Sequence, residues 1–335
     1  MKVDAGLGNE LEKIPQAAKD LEAFGYDGVR TAEMNHDPFF PLVLAAEHTQ
    51  SVELITSIAV AFARSPMNLA NLAHDLNAYS KGRFTVGLGS QIKPHITKRF
   101  SMQWGAPAAQ MRELVLSMRA IWANWYDGEP LEFVGKYYTH TLMTPAFTPQ
   151  NTEHGKPRVV LAAVGPAMTE VAGEVADGMI IHPFSNLPYI ESVTLPAIER
   201  GLAKSGRTRD DFELSYAPFV VTGRDDAEFA RNMKATKERI AFYGSTPAYK
   251  GVLDAIGAGD LQGELNAMSK QGRWQEMGTL IDDELVAHFG VIGEPGEIAP
   301  AMLSRYANFV DRTSASFPVT DDEQRRGIIE ALRAG

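Results

Sequence analysis

Short apolar runs that suit buried β-strands alternate along the chain with segments of helical spacing. Leu54–Ala61 is almost continuously apolar, which is typical of a parallel strand buried on both faces. The other predicted strands are Lys2–Gly6, Asp27–Thr31, Arg83–Leu88, Arg158–Ala162, Gly178–Ile181, Glu213–Val221 and Arg312–Phe317. The predicted helices are Glu10–Phe24, Pro41–Thr49, Asn68–Ser80, Ala108–Trp125, one that begins near Pro166, and Leu280–His288.

Eight strands that alternate with helices predict an α/β fold, and specifically a closed (β/α)8 TIM barrel. A doubly wound sheet is the main competitor, but it typically has G-x-G-x-x-G after its first strand. This chain has Leu7-Gly8-Asn9-Glu10 there, which does not match. We predict one domain over residues 1–335, with long insertions at about 91–157 and 242–294 that shape the carboxyl-terminal face of the barrel. The first insertion includes a hairpin-like stretch, Leu131–Thr141.

Composition narrows the classes of function. The 335 residues have a net charge of −10 and no dense basic run, so no nucleic-acid partner is expected. The absence of cysteine excludes thiolate catalysis and Cys-ligated metals, and it fits a reducing cytoplasm. No stretch approaches the roughly 18 apolar residues of a membrane span, and the amino terminus lacks the apolar region of a signal peptide. The eight histidines are dispersed without HExxH, so no metal site is predicted.

Five segments occur in an order that resembles the luciferase-like monooxygenase superfamily, and more narrowly its branch that uses the deazaflavin coenzyme F420. They are Glu33–Phe39, Leu54–Pro66, Gly82–Gly89, Ala162–Pro166 and Ala172–Gly178. Together they span about half of the chain. The resemblance implies an oxidoreductase on a TIM barrel, with a cofactor at the carboxyl-terminal face that carries the hydride.

The resemblance also implies residues that hold the cofactor. A non-prolyl cis peptide at Ser57–Ile58 would back the flat ring, and Ala59 would lie under or beside it. The loop at Gly165 and Pro166 would hold the phosphate, since a helix amino terminus after glycine favours anions.

Further cofactor contacts are predicted from the residues themselves. Arg64 is predicted to contact the polar edge or phosphate of the cofactor, and its alternative is a solvent-facing residue beside a helix cap. Gly87 and Gly89 permit close approach of a ligand to the backbone, or only form a turn. His182 contacts either the cofactor tail or the substrate, or makes a structural hydrogen bond.

The candidate acid–base residues follow the second strand. Glu33 and His36 follow the predicted strand Asp27–Thr31 on the expected catalytic face, and a histidine side chain suits proton transfer near neutral pH. The alternative is that Asp37-Pro38 is a helix-entry turn with Asp37 as the cap.

The hypothesis is therefore an F420-dependent oxidoreductase that acts on a small organic substrate. One alternative is an FMN-dependent monooxygenase on the same fold, and another is a non-catalytic cofactor-binding protein. We also expect a homodimer. Five aromatic residues of the two insertions are expected to pack beneath loops rather than line the substrate pocket: Trp104, Tyr137, Phe147, Tyr243 and Trp274.

Overall fold

A computed structural model describes residues 1–314, 317–318 and 321–335. The strands are β1 Lys2–Gly6, β2 Gly28–Thr31, β3 Glu53–Thr56, β4 Ala59–Val60, β5 Phe84–Gly89, β6 Phe133–Val134, β7 Thr139–His140, β8 Arg158–Ala163, β9 Gly178–Ile181, β10 Glu213–Tyr216, β11 Phe219–Val221, β12 Gly290–Ile292 and β13 Arg312–Ser314.

Parallel pairing closes the main sheet into a barrel. Within the described ranges its order is β3-β2-β1-β13-β10-β9-β8-β5, and β3 pairs back with β5. The strand β4 resumes β3 after a break and also pairs with β5. This closed eight-stranded parallel barrel confirms the predicted TIM-barrel architecture.

Helices surround the barrel. They are α1 Ile14–Phe24, α2 Phe39–His48, α3 Pro66–Tyr79, α4 Pro107–Trp122, α5 Pro166–Val175, α6 Leu187–Tyr189, α7 Leu195–Lys204, α8 Asp226–Gly244, α9 Lys250–Asp254, α10 Leu261–Lys270, α11 Trp274–Met277, α12 Asp283–Phe289, α13 Pro295–Tyr306 and α14 Asp322–Ala334. The predicted start of α1 at Glu10 is four residues too early, because Pro15 fits the first turn of the helix. In α3, Ser65 caps the helix by accepting from the Asn68 amide.

Three predicted strands need correction. The third is interrupted after Thr56 and resumes at Ala59. The seventh leaves the barrel after Tyr216, because Phe219–Val221 pairs instead with Gly290–Ile292, a strand that the sequence did not reveal. The eighth ends at Ser314; of its remaining predicted residues, 315–316 lie outside the described part of the chain, and Phe317 is not in a strand.

Charged side chains fill the amino-terminal half of the barrel interior. Arg30 of β2 donates to Asp4 of the neighbouring strand β1, and it also donates to Ser215 of β10, a strand that does not pair with β2. Arg312 of β13 donates to Asp4 and to Glu213. Asp4 and Arg312 are almost fully buried. The ion pairs occupy the space that apolar side chains fill in many barrels.

The second insertion forms a hydrophobic cluster of its own with strand β11. Phe184, which follows β9, stacks on Phe289 of α12 with ring centroids 4.5 Å apart. This cluster covers the carboxyl-terminal ends of β9 and β10. The one-domain organisation of residues 1–335 stays a prediction.

No helix in the described part of the chain is long and apolar enough to cross a membrane. Among the described residues, no group of three or more His, Asp or Glu side chains is arranged to hold a metal ion.

Candidate active site

Small residues lie at the carboxyl-terminal mouth of the barrel. Ala32, Ser57, Ser90, Ala162 and Ser314 end or follow barrel strands, and each retains solvent exposure. Small side chains at the ends of parallel strands leave a shallow opening above the charged interior.

The break in the third strand lies at this mouth. Ser57 and Ile58 are half-buried, and the peptide bond between them is cis, as predicted. The Ser57 amide donates to the Thr31 carbonyl at 2.6 Å, and the Glu33 amide donates to the Ile58 carbonyl at 3.0 Å. Ala59, in contrast, is fully buried in the hydrophobic core. The predicted contact of its side chain with a ring is therefore not supported; Ser57 and Ile58 are the accessible residues.

Glu33 holds this segment with its carboxylate as well as its amide. Its Oε2 accepts from the Val60 amide at 2.7 Å and from Arg64 Nη1 at 2.6 Å. Because Glu33 brackets Ile58 and Val60, its position fixes the break in the strand. Arg64 Nη2 also donates to Asp37 at 3.0 Å, so Arg64 joins the carboxylates of Glu33 and Asp37.

Arg64 therefore has two acidic partners, and it lies 5.3 Å above the Phe39 ring. The alternative of a solvent-facing arginine is wrong, because its side chain is only 15% exposed. The proposed contact with a cofactor phosphate stays a prediction, although the two carboxylates already neutralise its charge. Asp37 also accepts from the Phe39 amide at 2.8 Å, which confirms the helix-entry turn.

Gly87 and Gly89 are buried, and both face protein atoms. A Cβ added at Gly87 would lie 1.8 Å from the Thr56 carbonyl oxygen, and one at Gly89 would lie 2.8 Å from the Ile58 side chain. The Thr56 hydroxyl also bonds to the backbone of Gly87. These glycines thus let β5 approach the break in strand three. Direct contact between either glycine and a ligand stays a prediction.

Gly165 and Pro166 lie where β8 meets α5. Gly165 has φ +77° and ψ 156°, and apart from its chain neighbours no atom of the described residues lies within 4 Å of the position of an added Cβ. The backbone N–H groups at the start of the helix, such as that of Ala167, have no carbonyl acceptor within the helix. This helix end is therefore open to an anion, and the predicted contact of Gly165 and Pro166 with a phosphate stays a prediction.

His36 is exposed in the loop after β2. Its imidazole makes no hydrogen bond within the described ranges, while the neighbouring Met34 carbonyl accepts from Arg99 and Asn35 pairs with Asn9. These contacts anchor the loop before His36, and the bond from Arg64 to Asp37 anchors it after His36, whose imidazole stays exposed. Glu33 differs, because its carboxylate is buried and engaged.

His182 follows β9 and is packed among aromatic rings. Its Nδ1 accepts from the Phe184 amide at 3.0 Å, which confirms the structural hydrogen bond. The Tyr243 and Tyr249 rings lie 4.6 and 5.0 Å from it. Burial, and then the charge of Arg239, lowers the pKa of His182 to about 4.

Sequence reasoning missed the aromatic surroundings of His182 and the role of Asp37 toward Arg64. Tyr243 and Tyr249 lie more than 60 residues after His182, and no local periodicity links them. Of the five aromatic residues expected to pack, Trp104 meets Phe62 edge-on at 5.8 Å. Phe147 does not pack, since it is 76% exposed.

Comparison with known proteins places this geometry in a family. The chain matches the model of the luciferase-like monooxygenases over residues 2–312. An uncharacterized protein of Mycobacterium tuberculosis is 53% identical over 99% of this chain and 98% of its own length. A 5,10-methylenetetrahydromethanopterin reductase of Archaeoglobus fulgidus is 26% identical over 94% of this chain and 92% of its own length.

Solved structures share the fold. The coenzyme F420-dependent tetrahydromethanopterin reductase of Methanopyrus kandleri has a TM-score of 0.77 at 20% identity, over 98% of this chain and 96% of that chain. The FMN complex of the oxygenating constituent of 3,6-diketocamphane monooxygenase from Pseudomonas putida has a TM-score of 0.65 at 15% identity, over 99% of this chain and 97% of that chain. With the family model matched from the first strand to the last, this chain belongs to the luciferase-like monooxygenases.

Proposed function

We propose that this protein is an F420-dependent oxidoreductase that transfers a hydride between the deazaflavin and a small organic substrate. The observation that carries the proposal is the half-buried Ser57–Ile58 segment at the barrel mouth, which Glu33 holds through its bonds to Ile58 and Val60. It offers a fixed surface for one face of a flat ring. The reductase relatives named above support the choice of cofactor.

The residues at the mouth fit such a cofactor. Ser57 and Ile58 would lie against the ring, and the open helix end at Gly165 and Pro166 would accept its phosphate. His182 bounds the mouth at the end of β9. When bound, F420 supplies or accepts the hydride, and the protein supplies position and a proton.

His36 is the proposed proton donor or acceptor. A free, exposed imidazole beside the mouth can exchange a proton with the substrate oxygen. The role of Glu33 in the proposal is to position, because its Oε2 already accepts from Val60 and Arg64. Glu33 keeps the Ser57–Ile58 segment in place while His36 serves the substrate.

The rival is an FMN-dependent monooxygenase, which the family name and the FMN-bound structure favour. It differs in its need for molecular oxygen. The test is a fluorescence titration of the purified protein with F420 and, separately, with FMN. Binding of F420 at least tenfold tighter than FMN is the expected result. Tighter binding of FMN would transfer the protein to the oxygen-using class, and binding of neither would favour a protein without catalysis.

A glycine pair supplies the control for that titration. Gly165→Ala places a side chain at φ +77° on the proposed phosphate contact, whereas Gly155→Ala places one at φ +73° in the loop before β8. At both positions the added Cβ would enter open space. F420 affinity should fall in the first variant and stay unchanged in the second.

The predicted homodimer belongs to the same proposal. An apolar patch of exposed side chains lies on adjacent faces of α2 and α3: Phe40, Val43, Leu72 and Tyr79. Tyr79 contacts Glu47 of α2, so the two helices present one surface. We propose that this surface pairs with a second copy of the chain. A cytoplasmic location stays a prediction.

A further inference from the structure

Three rings wall the mouth above β9 and β10. The centroids of His182 and Tyr243 lie 4.6 Å apart, those of His182 and Tyr249 5.0 Å, and those of the two tyrosines 6.2 Å. Tyr243 lies in the last turn of α8, and Tyr249 lies in the short turn Pro247–Tyr249. The loop after β9 and the second insertion thus contribute to one surface, and the proposed cofactor surface lies across the mouth at the break between β3 and β4.

The hydrogen bonding of His182 fixes which nitrogen carries the proton. Its Nδ1 accepts from the Phe184 amide, so the neutral ring carries its proton on Nε2. Nε2 has no protein partner in the described part of the chain. It is also not among the side-chain polar atoms that are fully buried without a hydrogen-bond partner, so solvent reaches it. It is therefore a donor that a ligand can reach. The lowered pKa, caused by burial and then by Arg239, keeps the ring neutral at physiological pH.

Arg239 supplies a positive charge that acts on the His182 ring. It lies on α8 one turn before Tyr243, is exposed, and sits 4.9 Å above the Phe219 ring. Across residues 1–314, 317–318 and 321–335 it has no acidic partner and donates no hydrogen bond to a protein acceptor. Such an arginine is unusual in a chain with 42 acidic and 32 basic residues. Its guanidinium is available to an external anion.

The hydroxyls of Tyr243 and Tyr249 are also free of protein partners within those ranges. The surface therefore combines a guanidinium, an Nε2–H donor and two phenols. The rings around the donors offer flat apolar faces. Donors and positive charge beside flat rings match an organic anion with a planar body.

We propose that His182, Arg239, Tyr243 and Tyr249 form a carboxylate-binding subsite, so that the substrate is a small, planar organic acid. Arg239 pairs with the carboxylate, and His182 donates from Nε2 to one of its oxygens. The tyrosine rings pack against the planar body. The substrate assignment rests on the proposed oxidoreductase function, whereas anion binding by the subsite does not.

The test compares benzoate with benzamide, a neutral molecule of the same shape. Calorimetric titration of the full chain without cofactor at pH 7 should show benzoate binding about tenfold tighter than benzamide, since one charged contact differs. Arg239→Gln should remove that preference, and His182→Phe, which keeps a ring, should weaken benzoate several-fold. Arg231→Gln is the matched control, because Arg231 lies on the same helix and already pairs with Glu228.

Results of two kinds would overturn the subsite, one with the wild type and one with the Arg239 variant. One is equal affinity for benzoate and benzamide, or no benzoate binding up to about 10 mM. The other is an unchanged preference in Arg239→Gln, whose exposed position leaves the fold intact. A parallel F420 titration separates the two proposals. If the protein does not bind F420 but keeps its preference for benzoate, the F420-dependent function is excluded and the subsite stands; F420 binding without a benzoate preference excludes the subsite alone.

Discussion

The guanidinium of Arg64 donates to Oε2 of Glu33 at 2.6 Å, and the same oxygen accepts from the backbone at the resumption of strand three. The ion pair is largely buried, with side chains 15% and 7% exposed. A carboxylate in this position does two tasks: it compensates a buried cation and satisfies a backbone amide. Both tasks concern the shape of the barrel mouth.

Glu33→Gln should therefore destabilise the protein more than it affects proton transfer. The amide can still accept from Val60 but leaves Arg64 with a single acidic partner, so we expect a loss of about 1–3 kcal/mol in the free energy of unfolding. Urea unfolding measures it. Glu10→Gln, which breaks the exposed pair with Lys13, is the control and should cost less than about 1 kcal/mol. Full stability with lost turnover would instead make Glu33 the catalytic acid.

His36 gives the complementary expectation. Because its imidazole has no protein partner among the described residues, His36→Asn should leave stability and F420 affinity unchanged. Hydride transfer to substrate should slow by about 10²–10⁴-fold, the usual contribution of a general acid or base. His95→Asn, at another exposed histidine near the mouth, should leave the rate unchanged. Equal rates for the His36 variant and the wild type would assign proton transfer to another group.

The glycines of β5 allow a test of how the mouth is packed. Gly87→Ala should be severely destabilising, since its Cβ would meet the Thr56 carbonyl oxygen, which cannot move without the strand. Gly89→Ala should cost less, because the obstacle is the Ile58 side chain. Adding Ile58→Ala should restore part of the stability lost in Gly89→Ala. Thermal unfolding of the single and double variants measures this coupling, and strict additivity would exclude the contact as the cause.

These contacts explain why the sequence predicted the barrel that carries the site better than the contacts between the residues of the site. Repeating apolar strands and proline-led helices such as those at Pro66 and Pro166 carry local signals, so the barrel could be predicted. The break at Ser57–Ile58 came only from the family resemblance. Its support by Glu33, and the meeting of His182 with Tyr249, depend on distant segments that only the closed barrel brings together.

The seventh predicted strand also shows that the local sequence does not determine which strands pair. The apolar run Glu213–Val221 was predicted as one strand, yet it divides between the barrel and the pair with Gly290–Ile292. Propensity favours a strand on both sides of Ala217 and Pro218, whereas tertiary pairing decides which sheet each half joins.

The ion pairs in the barrel interior predict a dependence of stability on pH. Burial raises the pKa of Glu213, but the charges of Arg312 and Arg158 outweigh it, so the pKa lies below its ordinary value. A lowered pKa in the folded protein contributes stability above the unfolded value of about 4.3 and loses it as the pH falls through the folded value.

Glu213→Gln should therefore cost about 1–3 kcal/mol at pH 7 and progressively less below about pH 4. Urea unfolding of the variant and the wild type at each pH isolates this residue, because the other carboxylates titrate in both. Glu276→Gln, at an exposed pair with Arg273, should show only a small difference at any pH. A cost at Glu213 that does not change with pH would contradict the ion-pair account.

The apolar patch on α2 and α3 predicts the state of assembly. Phe40 and Val43 are 63% and 41% exposed, and Leu72 and Tyr79 lie beside them at 37% and 51%. If a second copy covers this patch, light scattering should give twice the chain mass for the wild type and one chain mass for Val43→Asp, since a buried unpaired carboxylate opposes association. Val134→Asp is the control, because Val134 is 76% exposed in the hairpin of the first insertion, away from the patch. A monomeric wild type at micromolar concentration would refute the dimer, and a dimer in both variants would place the interface elsewhere.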